Sequence, residues 1–166
     1  MPTNRRIKLA SVRADIMPND ENMVDDLAAK TFHARLKGTF YGILQWQQLD
    51  VLWEHVKGNP WFFYQVGETL PVTPLSGDDL AIRIAALNTL LRHEHDYHYC
   101  GIVYVDHVER PTLIKVYDPG TLGSSCSHNA TPTPPRWILS IAQPSPIEIH
   151  APVPNNRRRW WQLFSD

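Results

Sequence analysis

Half of the fourteen prolines in this 166-residue chain fall between Pro132 and Pro154, at positions 132, 134, 135, 144, 146, 152 and 154. Proline fixes φ near −65° and removes a backbone donor, so a stretch this dense favours extended and turn geometry over a long helix or an uninterrupted sheet. The expected organisation is therefore one α+β domain over residues 32–142, followed by a proline-rich linker and a basic-aromatic tail over residues 143–166. Residues 1–31 carry Arg5, Arg6, Lys8 and Arg13, then Asp20, Glu21, Asp25 and Asp26, with no sustained apolar period. They read as a polar N-terminal arm.

The length suits a single domain, and Leu, Ile, Val and Phe make up 43 of the 166 residues, about 26 % and above the roughly 20 % below which chains tend to stay disordered. Sixteen basic against seventeen acidic residues leave a net charge of −1, which excludes a chain that wraps nucleic acid by bulk charge. No apolar run approaches the roughly 20 residues of a membrane span, and the N-terminus lacks the apolar stretch of a secretory signal. The expectation is a cytoplasmic protein with no membrane partner.

Within the domain, Leu49, Leu52, Trp53 and Val56 recur at helical spacing before Gly58, Asn59 and Pro60, which predicts a helix from about Leu44 to Val56. Residues 38–43 fit a short strand as well as a helix start. The aromatic run Trp61 to Val66 predicts a buried strand. Ser76 with Asp79 three residues on resembles a capping box, and Leu80, Ile84, Leu87 and Leu91 form one apolar stripe, so a second helix is expected from there to about His93. Tyr99 to Asp106 and Thr112 to Asp118 read as a hairpin, and Trp137 to Ile141 as a fourth strand. The fold class expected is α+β, a small, mostly antiparallel sheet of about four strands with two main helices packed on one face and an extended proline-rich C-terminal arm.

The densest chemistry lies in His93, Glu94, His95, Asp96, Tyr97, His98, Tyr99 and Cys100. Imidazole and thiolate are the usual ligands of zinc and other transition metals, and in a strand His98 and Cys100 would point to one side at i, i+2. Cys126 and His128, in the Gly and Ser loop that begins at Gly120, could complete a site with His93, His95, His98 and Cys100. Neither a Cys-x-x-Cys nor a His-Glu-x-x-His spacing occurs. The plainer assignment gives His93 and His95 to the negative end of the helix dipole and Cys100 to the core. For catalysis, Cys126 with His128 as its base is the candidate pair. The loop from Asp118 lacks the Gly-Lys-Ser or Gly-Lys-Thr ending of a phosphate-binding loop.

The tail sets Arg157, Arg158 and Arg159 beside Trp160, Trp161, Leu163 and Phe164. Trp and Arg are the residue types most enriched at binding hot spots, so the segment reads as a docking peptide for another protein, with nucleic acid or the domain's own surface as alternatives. The functional expectation is a small accessory or interaction protein that can hold a transition metal; the alternative is a cysteine-dependent enzyme.

Overall fold

The computed structural model describes residues 31–121 and 133–148. Residues 31–36 are helical, and they are followed by β1 (Tyr41–Ile43), α1 (Trp46–Val56), β2 (Phe62–Gln65), α2 (Gly77–Glu94), β3 (Val103–Val105), β4 (Leu113–Val116) and β5 (Trp137–Ser140). The strands form one sheet in the order β1-β3-β4-β5-β2. Every pairing is antiparallel. The α+β class is as expected, with five strands rather than four because residues 41–43 resolve as an edge strand, not as the start of α1.

Strand β5 sits between β4 and β2 and all four of its residues are buried. A central strand persists inside the proline-dense stretch because the interval 136–143 is free of proline, so no ladder donor is lost. Ile147, beyond the expected end of the domain, still packs against the core.

Alternation along the strands divides the apolar side chains between two layers. Ile114 and Val116 of β4 join Phe63, Val103, Val105, Trp137 and Leu139 in the larger layer, which α1 covers with Leu49, Leu52, Trp53 and Val56, and α2 with Leu80, Ile84, Leu87, Leu90 and Leu91. Trp61 ties α1 to the sheet by donating from Nε1 to the Val56 carbonyl at 3.0 Å. Helix α1 begins where the Gln48 side chain accepts from the backbone N–H of Leu44 and Gln45. Ser76 occupies the N-cap of α2 as expected, but its side chain makes no capping hydrogen bond; Asp78 and Asp79 supply the negative charge that the helix start favours.

The opposite face of the sheet carries a smaller layer that the sequence pattern did not reveal. Leu113, Ile138, Tyr64 and Val66 meet Phe32, with Leu36, Phe40 and Ile147 around them. Lys115, mid-strand on this face, donates from Nζ to the Leu36 carbonyl at 2.8 Å and lies 3.7 Å from the centre of the Phe40 ring. Burial pushes its pKa down. The ammonium thus fastens the end of helical residues 31–36 to the sheet through a carbonyl and a ring face, both of which favour a cation.

Candidate functional site

The histidine tract does not form the strand that the sequence suggested. Residues 97–99 are bends, β3 starts only at Val103, and Gly101 between them has φ +67°. That conformation is left-handed and interrupts an extended run. His98 is consequently exposed while Cys100 is wholly buried, so the two do not present paired ligands. Cys100 belongs to the larger core layer and is a free thiol whose pKa burial pushes up. Such a thiol is protonated and inert at neutral pH.

His93 is exposed in the last turn of α2, and His95 is its C-cap, donating its backbone N–H to the Leu91 carbonyl at 3.1 Å. The His95 ring is buried, with 7 % of its surface exposed, and is surrounded by rings. Trp46 lies at 5.6 Å, Tyr97 at 5.3 Å and Tyr99 at 6.1 Å between centroids. Its Nε2 is buried without a hydrogen-bond partner. Cys126, His128 and Arg157 to Phe164 lie outside the described residues. Among the described residues, no group of three or more His, Cys, Asp or Glu side chains is placed to hold a metal ion.

What the tract builds is an aromatic corner. The backbone N–H of Cys100 donates to the Leu44 carbonyl at 2.7 Å, and that of Gly101 to Ile43 at 2.8 Å. These bonds bring residues 97–101 alongside the end of β1. Tyr97 and Tyr99 lie 5.3 Å apart with an interplanar angle of 33°, and each is more than half exposed, at 53 % and 54 %. Leu44 beside them is 62 % exposed. The Tyr99 ring is not a loose side chain, because it covers Gly101 so closely that a Cβ there would meet it at 3.0 Å. The second ring of the corner, Trp46, is clamped by Arg92, whose guanidinium lies 5.0 Å from the ring centre. Large rings that are exposed and already ordered lose little side-chain freedom on contact with a partner.

A second feature is an open hollow of about 560 Å³ lined by Tyr41, His107, Val108, Glu109, Arg110 and Thr112. His55 of α1 supports its rim, with Nδ1 at 3.0 Å from the Val108 carbonyl. The Thr112 hydroxyl donates to Asp106, which superficially resembles a nucleophile with its base. Asp106, however, also accepts from the backbone N–H of His107 (2.9 Å), Thr112 (2.9 Å) and Leu113 (3.1 Å). Its carboxylate is committed to closing the β3–β4 turn.

The tyrosine corner was missed because His and Cys stood out as ligands, with Tyr97 left in the connection and Tyr99 at the start of a strand. The usable signal was Gly101, directly after Cys100, which argues for a break in extended structure at that point. Comparison of the chain with known protein families, curated proteins and solved structures finds no match. No helix among the described residues is long and apolar enough to cross a membrane.

Proposed function

We propose that this protein is a small interaction module that binds another protein through the corner formed by Leu44, Trp46, Tyr97 and Tyr99, and does not turn over a substrate. The observation that carries the reading is that Tyr97 and Tyr99 are more than half exposed while packed against each other and against the buried His95 ring. Pre-ordered aromatic area left facing outward is what binding hot spots use. The committed Asp106 carboxylate and the sealed Cys100 thiol fit a protein without turnover. A reducing, cytoplasmic setting belongs to the same proposal and is consistent with the free Cys100.

The test is chemical cross-linking of the full chain in extracts of its own cells, comparing wild type with Tyr97→Ala plus Tyr99→Ala and with Ile82→Ala, which removes an exposed apolar side chain from α2. A specific partner retained by Ile82→Ala and lost by the tyrosine pair is the expected result. Retention by all three would assign binding elsewhere and end the proposal.

A further inference from the structure

The tyrosine corner is an apolar surface with a carboxylate in the same segment: Asp96, between His95 and Tyr97 in the sequence, is exposed. The guanidinium nearest in sequence is otherwise engaged. Arg92 is held by Asp50 at 2.6 Å and lies over Trp46. The corner therefore suits a ligand that combines cations with large apolar side chains. The protein's own sequence supplies such a ligand in Arg157, Arg158, Arg159, Trp160, Trp161, Leu163 and Phe164. We propose that this C-terminal segment is the resting occupant of the corner, docked by its own chain, its guanidinium groups facing Asp96 and the tyrosine rings and its indoles on Tyr99 and Leu44.

Three observations bear on this choice of occupant. The domain already uses guanidinium on ring faces twice, Arg92 over Trp46 at 5.0 Å and Arg83 over Phe63 at 5.6 Å, so this contact is familiar to the fold. Reach is sufficient as well. Ile147 packs into the same small layer as Phe40, the residue immediately before β1, and Phe40 and Leu44 are separated only by the three residues of that strand, about 13 Å. The nine steps from Glu148 to Arg157 span about 30 Å when extended, enough to run from the smaller layer past β1 to the corner. Finally, a sequence with two Trp, a Leu and a Phe in five residues has a strong drive to leave water, and the corner offers it exposed apolar area in Leu44, Tyr97 and Tyr99.

The inference rests on the corner being a docking face, as proposed above, and adds that access to it is regulated: a partner must displace the tail. Because the tail is covalently linked, modest affinity is enough to keep it seated, and a partner competes against an effective concentration rather than against an empty surface.

Limited trypsin digestion of the full chain reads this directly, since Arg157, Arg158 and Arg159 are tryptic sites and cleavage tracks the fraction of time a segment is released. Cleavage there is expected to be about five-fold or more faster in Tyr97→Ala plus Tyr99→Ala and in Asp96→Lys than in wild type, with cleavage after the exposed Lys57 unchanged as the control for folding. In the reverse direction, Trp160→Ala plus Trp161→Ala leaves the domain intact and should raise amide hydrogen exchange across residues 96–101. The wild-type rate should not depend on protein concentration. Equal cleavage rates in wild type and in both corner variants, with no change in exchange, would overturn the proposal; so would a rate that falls as concentration rises, which would put the tail on a second copy. If the tyrosine pair abolishes partner capture but leaves tail cleavage unchanged, the docking face stands and only the tail's occupancy fails.

Discussion

Arg92 of α2 donates from Nη2 to Asp50 Oδ1 of α1 at 2.6 Å and to the Trp46 carbonyl at 3.3 Å, so one guanidinium joins the two long helices at the edge of the corner. Its Nε shares the side-chain Oδ1 of Asn88 with Trp53 Nε1, both donating to it at 3.2 Å. The result is a chain of contacts that runs from the buried Trp53 to the exposed Tyr97: Trp53, Asn88, Arg92, Trp46, His95, Tyr97. Packing of the helices and ordering of the docking face are thus the same set of interactions.

Replacing Arg92 by Ala is accordingly expected to cost more than replacing Asp50 by Ala. The Asp50–Arg92 pair is exposed, and exposed pairs contribute about 1 kcal/mol at most. Arg92 additionally loses the bonds to Asn88 and Trp46 and its packing on the indole, for a total of about 1–2 kcal/mol. Urea denaturation of both single variants and the double variant gives the coupling energy; equal costs for the two single variants would show that the salt bridge alone matters.

Asp106 is the residue whose loss should harm the fold most for its size. Asp106→Ala removes the acceptor for the N–H groups of His107, Thr112 and Leu113, the last of them buried. A loss of about 2–3 kcal/mol is expected. Asp106→Asn retains Oδ1, and the Thr112 hydroxyl can turn from donor to acceptor, so about 1 kcal/mol is expected there. Thermal unfolding of the two variants checks the order.

The Cys100 thiol gives stability a slope in alkali. Burial raises its pKa above the ordinary 9.0, so as pH rises past 9 the unfolded chain releases this proton while the folded chain keeps it. The unfolded state is then stabilised, and folding stability falls with pH until the raised folded value is reached. Tyr117, raised by burial and by Tyr104, acts in the same direction above pH 10. Lys115, lowered by burial, acts oppositely: its penalty as a cation disappears as pH climbs from its folded value towards 10.5. Denaturation between pH 8 and pH 10 isolates the thiol: the stability of wild type relative to Cys100→Ala should fall as pH rises, the Lys115 contribution being common to both. At neutral pH, a thiol reagent should reach Cys100 no faster than the domain opens.

Much of the fold was legible because its signals are periodic. The stripe Leu49, Leu52, Trp53, Val56 and the stripe Leu80, Ile84, Leu87, Leu91 are the buried faces of α1 and α2, and Leu113 to Val116 is the strand that its β-branched composition implied. Edge strand β1 was ambiguous for a physical reason: a glycine at its centre allows either conformation, and the Tyr104 ring packed over Gly42 decides for the strand from across the sheet. The smaller layer under Phe32 and Lys115 was hidden because Lys115 reads locally as a solvent-facing residue and becomes a staple only once residues 31–36 cross beneath it. In the His93 to Cys100 tract, side-chain chemistry pointed to ligands, whereas the backbone break at Gly101 buries Cys100, exposes His98 and turns Tyr99 outward.

That break provides the sharpest separation of docking from folding. Gly101 and Gly58 both have positive φ, +67° and +97°, so an alanine at either position is strained by about 1–2 kcal/mol. They differ in what the new methyl meets. At Gly58 there is nothing within 4 Å, whereas at Gly101 the Cβ would lie 3.0 Å from the Tyr99 ring, which must then shift by a few tenths of an ångström. Gly58→Ala should therefore lower the unfolding temperature and leave the corner intact. Gly101→Ala should lower it comparably, raise amide exchange across residues 97–99 and weaken partner capture as the tyrosine variants do. If both glycine variants bind a partner equally well, the ordered position of Tyr99 is not what the partner recognises, and the docking face must be sought away from this corner.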